Sequence, residues 1–230
     1  ISLKPSKDMD EMKGDMAGSA TVVSLMKLLA ERKAKINAVG VVPLVENMPS
    51  GTAYKPGDII KTMSGQTVEV VNTDAEGRMV LADALYYTAT NYEPEIMIDF
   101  ATLTGAICVA LGENYAGLFS NHESLVRELQ KSGLRASEWL WKMPLSEVGG
   151  PCDKLIDSDI ADMKNTGGRD GGAITAAQFL QRFIGKTKKW AHIDMDGTAF
   201  VKRSNYFVER GATGFGVRLL NRYIKEYCEK

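Results

Sequence analysis

A strand that runs straight into a helix through a charged turn constrains this chain more than any other segment. Gln66 to Asn72 is β-branched and partly alternating, which predicts a strand, and Arg78 to Tyr87 has the apolar spacing of a helix. Between them lies Asn-Thr-Asp-Ala-Glu-Gly-Arg, residues 72–78, which sets Asp74, Glu76 and Arg78 two positions apart. The turn therefore falls at the carboxyl end of a strand, where ligands bind in open α/β sheets. Two carboxylates there can hold cations, and a guanidinium can hold an anion. The same residues also fit a helix capping box, with Thr73 as N-cap and Glu76 reaching back. The segment alone does not choose between these readings.

The remaining pattern alternates helices with strands. Ser19 to Arg32 has helical periodicity, and Ile36 to Val45 is a continuous apolar run that predicts a strand buried on both faces. Residues 54–70 contain Pro-Gly-Asp and Ser-Gly turns and predict a short hairpin ahead of the charged turn. Glu95 to Ala101 and Lys189 to Asp194 read as strands. Leu125 to Ser132, Glu138 to Met143, Ala173 to Phe183 and Gly214 to Tyr227 read as helices. Strands separated by helices imply α/β, here a three-layer αβα sandwich around a mostly parallel or mixed sheet, with residues 1–230 forming one domain.

Composition narrows the partners. A hydrophobic content of 44% over 230 residues fills one ordinary core. Lys and Arg number 28 against 29 Asp and Glu, so there is no basic footprint for nucleic acid and no attraction to anionic membrane. Cys108, Cys152 and Cys228 are widely spaced with no Cys-x-x-Cys pair, which suits a reducing compartment and small buried side chains rather than a redox couple. No run approaches the roughly 18 apolar residues of a membrane span, and no signal-peptide core opens the chain, so a cytoplasmic location is expected. The chain starts on Ile1 inside a motif, and a targeting segment ahead of it is compatible with this. The Gly-rich run from Asn165 to Gly172 lacks the spacing of a P-loop or a dinucleotide site, and its glycines suit a tight turn with close packing.

The start of the chain adds Lys4, Asp10 and Asp15. With residues 72–78 they bring a wider agreement into view: Ile-Ser-Leu-Lys at 1–4, Asp-Met-Ala-Gly-Ser-Ala at 15–20, Ala-Thr-Leu-Thr-Gly-Ala at 101–106, Asn-Thr-Gly-Gly-Arg-Asp-Gly-Gly-Ala at 165–173 and Trp-Ala-His-Ile-Asp at 190–194. In these segments, over nearly its whole length, the chain resembles the leucine aminopeptidase family of cytosolic di-metal exopeptidases.

The resemblance implies a chemistry and its residues. Asp15, Asp74 and Glu76 correspond to metal ligands, with Glu76 bridging two divalent ions, zinc or manganese with magnesium or cobalt as substitutes. Ions about 3.5 to 4 Å apart activate a water for attack on the scissile carbonyl. Lys4 corresponds to the group that stabilises the oxyanion, and Arg78 to the arginine holding bicarbonate as general base, with main chain near Leu103 completing the cradle. The pocket for the first side chain is implied at Met12, Thr102, Gly105, Asp196 and Ala199. Asp196 stands where the family has a small apolar residue. Facing the pocket it would broaden a leucine-like preference towards polar or cationic residues, and turned away it would bind a local partner. Peptides are the implied substrates and a homo-hexamer, a dimer of trimers, the implied assembly.

The resemblance also implies what falls before Ile1: a lysine and a bridging aspartate, the first strands of the catalytic domain and a separate amino-terminal domain. Residues 1–230 are therefore expected to be part of a longer enzyme and to bind metal and hydrolyse peptides weakly alone. A metal-stabilised scaffold without catalysis is the main alternative, and a DNA-binding accessory role, known among some relatives, is opposed by the net charge of -1.

Overall fold

The structure is a computed structural model that describes residues 9–204 and 208–229. Its first regular elements are α1 (Ala17–Glu31), β1 (Ile59–Lys61), β2 (Thr67–Glu69), α2 (Glu76–Tyr92), β3 (Ile96–Ala101), α3 (Gly105–Leu111), β4 (Tyr115–Ser120) and α4 (Glu123–Ala136). They are followed by β5 (Trp139–Lys142), β6 (Met163–Lys164), α5 (Gly172–Gln181), β7 (Lys189–Asp194), β8 (Phe200–Val201), β9 (Gly211–Ala212) and α6 (Val217–Tyr223). The class is α/β, as the alternation predicts. Contacts gather the chain into two compact units, one from Pro43–Ile96 and Pro144–Lys188, the other from Glu11–Val42, Met97–Met143 and the chain from Lys189 onward.

In the first unit the expected hairpin forms. β1 pairs antiparallel with β2, Ile60 opposite Val68, and β6 adds in parallel on the other side of β2. The hairpin turn closes at Gly65, whose φ of 87° is a conformation that glycine adopts without strain. The strand is shorter than the β-branched run suggests, because beyond Glu69 the pairing turns irregular: Val70 N–H donates to the Asp58 carbonyl at 2.9 Å while its own carbonyl accepts from Gly57 N–H at 2.8 Å, two residues against one. Helices α2 and α5 pack together. Ala82 and Leu85 from α2, and Ala176, Phe179 and Leu180 from α5, are all buried, as are Val68 and Met163 from the sheet.

A buried ion pair secures the loop ahead of α5. Arg182 Nε and Nη2 donate to Asp153 Oδ1 and Oδ2, both at 2.8 Å, and Gly149 N–H adds a third bond to Oδ2 at 2.8 Å. The Arg182 and Asp153 side chains are only 11% and 3% exposed, so each charge needs the other.

In the second unit the strand order is β3-β7-β4-β5. β4 pairs parallel with β5, Tyr115 opposite Trp139, and antiparallel with β7, Gly117 opposite Asp194, so the sheet is mixed. Leu118, Phe119, Trp190 and Ile193 from the strands, and Leu125, Leu129 and Leu219 from the helices, form its core. α1 presses on β3 at Gly18, where a Cβ would come within 2.4 Å of the Phe100 carbonyl oxygen. Glu138 caps α6 by accepting from Gly216 N–H at 3.1 Å and Leu219 N–H at 2.9 Å.

Two expected elements are corrected. Ile36 to Val45 is not a buried strand: no ladder forms there, and Val39, Leu44 and Val45 are 53%, 77% and 65% exposed. Apolar character permits a central strand, but only a neighbour with free N–H and C=O groups makes one, and among the described residues no strand pairs with this run. Glu138 to Met143 is not a helix. Ser137 takes a left-handed φ of 56° and ends α4, after which Trp139–Lys142 extends beside β4 with Leu140 buried. Four residues carry too little periodicity to separate the two states.

Asp153 supplies a stability test. Burial pushes its carboxyl up, but the bonds from Arg182 and Gly149 pull harder, and the net shift is below the ordinary 3.8. A depressed folded value gives stability present above the ordinary value and lost as pH falls through the folded one. Arg182→Ala is expected to cost about 3 to 5 kcal/mol by leaving Asp153 buried and unpaired. Asp153→Asn should remove part of the acid-side loss of stability. Urea unfolding of the purified protein between neutral and strongly acid pH measures both.

Candidate metal and peptide site

The charged turn is built by its neighbours in the first unit. After β2 the chain enters a 3-10 turn at Thr73–Ala75, capped by the Asn72 side chain, which accepts from Asp74 N–H at 3.0 Å. α2 then starts on Glu76 with Ala75 as N-cap and no side-chain cap bond. The capping box with Thr73 as N-cap is thus corrected: the cap moves one residue back, because the 3-10 turn precedes the α-helix. Asp74 is exposed, Glu76 half-buried and Arg78 buried.

Asn165 fixes this turn from the start of the Gly-rich run. Its Oδ1 accepts from Val71 N–H at 2.8 Å and Asn72 N–H at 3.3 Å, and its Nδ2 donates to the Asn72 carbonyl at 2.7 Å. Its own carbonyl accepts from Arg78 Nη1 at 2.8 Å. Asn165 was legible only as part of a scaffold loop. Its type was the available signal, since a primary amide can donate and accept as a strand neighbour does.

Tyr54 and Asn47 hold the other side. Asn47 Nδ2 and Tyr54 Oη reach the Thr73 carbonyl at 3.0 and 3.3 Å. Burial, then the negative charges of Glu76 and Asp74, push the Tyr54 hydroxyl up to about 12. That field is what a cation would neutralise. A small cavity of about 120 Å³ opens beside Glu76, with Val45, Tyr54, Ile60 and Met79 in its walls.

In the second unit the other candidates are tied together. Thr102 Oγ1 lies 2.6 Å from Asp15 Oδ1 and 3.0 Å from the Asp15 carbonyl, and with one proton to give it serves the carboxylate. Leu103 N–H donates to Asp194 Oδ1 at 3.1 Å, and Thr104 Oγ1 to Asp194 Oδ2 at 2.6 Å. Burial pushes the Asp194 carboxyl up, and the charge of His192 together with these bonds opposes it. Asp196 N–H lies 3.4 Å from Asp194 Oδ1, and Asp196 Oδ2 is 3.0 Å from Cys108 Sγ. Asp194 was missed as an organiser because in sequence it is only the last residue of a strand.

The remaining candidates scatter in exposure. Met12, on the 3-10 turn Met9–Met16, and Gly105, opening α3, are exposed, whereas Ala199 is buried at 3%. Lys4 lies outside the described residues. His192 is buried, with Nδ1 2.6 Å from Asp99 Oδ1, while Trp190 Nε1 donates to Asp99 Oδ2 at 2.8 Å. This is a core polar network.

The oxygen donors of Asp74 and Glu76 on one turn, and the charge they impose on Tyr54, fit part of a divalent-cation site. Among the described residues no group of three or more His, Cys, Asp or Glu side chains forms a metal cage. Also among them, no helix is long and apolar enough to cross a membrane.

An α/β chain with a carboxylate-bearing strand-to-helix turn and a buried arginine behind it is the class that this geometry defines. The profile of the cytosol aminopeptidase family, catalytic domain, matches residues 1–221, and the chain belongs to that family. It is 58% identical over 229 residues to a probable cytosol aminopeptidase of Rhodopseudomonas palustris (strain TIE-1), covering 100% of this chain and 45% of the relative. A probable cytosol aminopeptidase of Brucella melitensis biotype 1 is 56% identical, with 100% of this chain and 46% of the relative covered. Among solved structures, the bottromycin maturation enzyme BotP in complex with Mn matches with a TM-score of 0.91 at 36% identity, covering 98% of this chain and 50% of that one. A tomato leucine aminopeptidase mutant matches with a TM-score of 0.83 at 41% identity, covering 94% and 41%. The chain therefore spans about 45% of the length of the curated relatives.

Asn165→Ala removes three side-chain bonds to the turn and is expected to cost about 3 kcal/mol at about 1 kcal/mol each. Thermal unfolding combined with hydrogen exchange at Val71 and Asn72 checks this, and unchanged exchange there would sink the clamp.

Proposed function

We propose that the protein containing this chain is a metallo-exopeptidase that removes amino-terminal residues from peptides, and that both units belong to one catalytic domain. The observation that carries this reading is the turn of Asp74, Glu76 and buried Arg78, held by Asn165 at the end of β2. Membership of an aminopeptidase family supports it.

Asp15, Asp74 and Glu76 are each assigned as ligands of divalent ions, zinc or manganese by preference. A manganese complex is known for the similar enzyme BotP. When bound, such ions polarise a carbonyl and ease deprotonation of water. Thr102 orients the Asp15 carboxylate by donating to Oδ1. Asn72 and Asn165 keep the Asp74 and Glu76 backbone in a fixed turn before any ligand arrives, so little ordering is needed on binding. Lys4 is assigned to charge developing on the scissile carbonyl oxygen. Arg78 is assigned to holding a bicarbonate, which when bound would supply a proton acceptor, and its Nη1 is anchored on the Asn165 carbonyl so that the guanidinium keeps one orientation. An anion near Leu103 would have to share an amide already donated to Asp194.

Peptides with leucine-like first residues are the proposed substrates. The Asp196 carboxylate meets the Cys108 thiol, which favours the apolar preference over the broadened one. Met12, Thr102, Gly105 and Ala199 are assigned to the surrounding pocket, although Ala199 is 3% exposed and contributes through shape. A homo-hexamer and a cytoplasmic location complete the reading. The second reading, a metal-stabilised scaffold, draws on the absence among the described residues of any group of three metal-binding side chains.

Metal removal separates the two. Treating the full-length protein with a chelator should abolish hydrolysis of leucyl amides, and manganese or zinc should restore it. Glu76→Gln should lower kcat/KM by about a hundredfold or more, the scale of losing a ligand or its support. A protein that binds metal stoichiometrically yet hydrolyses no aminoacyl amide would establish the scaffold.

A further inference from the structure

Cys108 lies in α3, and Asp196 in the turn that follows β7. Their contact, Sγ to Oδ2 at 3.0 Å, pairs a neutral donor with a carboxylate. Burial, the bond to Asp196 and the negative charges of Asp196 and Asp194 push the thiol up to about 12, so it keeps its proton at neutral pH and donates. The surrounding backbone fixes the pair. A Cβ on Gly197 would stand 2.1 Å from the Gly112 carbonyl oxygen and 3.5 Å from Cys108 Sγ, so the turn lies against the end of α3 at backbone contact. Thr198 and Ala199 N–H both donate to the Met195 carbonyl at 2.9 Å, closing the turn on itself. A thiol suits this place: small, tolerant of apolar surroundings, and a weak donor that holds a carboxylate without cancelling its charge.

Resting on the reading of Asp196 as part of the first-residue pocket, we propose that Cys108 is a positioning residue for substrate selection, its thiol holding the Asp196 carboxylate against α3 so that leucine-like first residues are accepted over cationic ones. Released from the thiol, the same carboxylate can turn to an ammonium or guanidinium, a stronger partner than a thiol. Peptide preference then depends on a neutral side chain that need not touch the peptide.

The test uses the full-length, metal-loaded protein. Cys108→Ala is expected to raise kcat/KM for lysyl relative to leucyl substrates by about two- to tenfold, the range that one net hydrogen bond spans, chiefly through a lower KM for the lysyl substrate. Cys108→Ser should restore most of the original ratio. In an Asp196→Ala background, Cys108→Ala should change nothing further. Independently of hydrolysis, the S–H stretching band lost on Cys108→Ala should move to higher frequency in Asp196→Ala as its acceptor disappears. An unshifted band, or an unchanged ratio in Cys108→Ala while Asp196→Ala changes it, would overturn the proposal. A protein that hydrolyses no aminoacyl substrate would instead overturn the functional reading, with the band still deciding the pair.

Discussion

The site depends first on one side-chain amide. Asn165 joins β6 to the charged turn by giving Val71 and Asn72 the hydrogen bonds that a neighbouring strand would have supplied, where the ladder of β2 has stopped. Without it the carboxylates of Asp74 and Glu76 would ride on an unpaired extension of the central strand β2. Its backbone carbonyl also takes the Arg78 guanidinium, so one residue sets the positions of both the acidic and the basic groups. Asparagine fulfils this because it donates and accepts in one plane, while aspartate would lack the donor for the Asn72 carbonyl.

The second unit repeats the device with a carboxylate. Asp194, at the end of β7, accepts from Leu103 N–H and the Thr104 hydroxyl and thereby anchors the loop between β3 and α3. That loop carries Thr102, which orients Asp15. Behind it, Asp99 takes the Trp190 indole and faces His192 inside the sheet, so both of its carboxylate oxygens are paired away from solvent. Buried polar networks of this kind hold a unique geometry only when they are satisfied. The two organising side chains, Asn165 and Asp194, are themselves buried, whereas the carboxylates of Asp15 and Asp74 are exposed.

Much of this was legible in the sequence where period or chemistry is local. The helix of α1, the hairpin of β1 and β2, strands β3 and β7 and helix α5 lie where apolar spacing and turn residues put them. The charged turn was legible as residues 72–78 because three chemically distinct groups stand two positions apart. Trp139–Lys142 was misread because four residues cannot distinguish a strand from a helix turn, and its state was decided by pairing with β4. Ile36 to Val45 was misread for the converse reason: its composition suits a central strand, but hydrogen-bonding neighbours, not composition, define one.

Sequence by itself determined the alternation of elements, the residue types at the acidic turn and the family to which such a chain belongs, because these are written in short segments that carry their own period and chemistry. Tertiary structure alone decided that Asn165 clamps the turn, that Asp194 spends itself on Leu103 and Thr104, and that Asp196 meets a thiol. Those contacts join residues separated by 88 to 93 positions, and no local pattern records which distant donor folding will bring to a given acceptor.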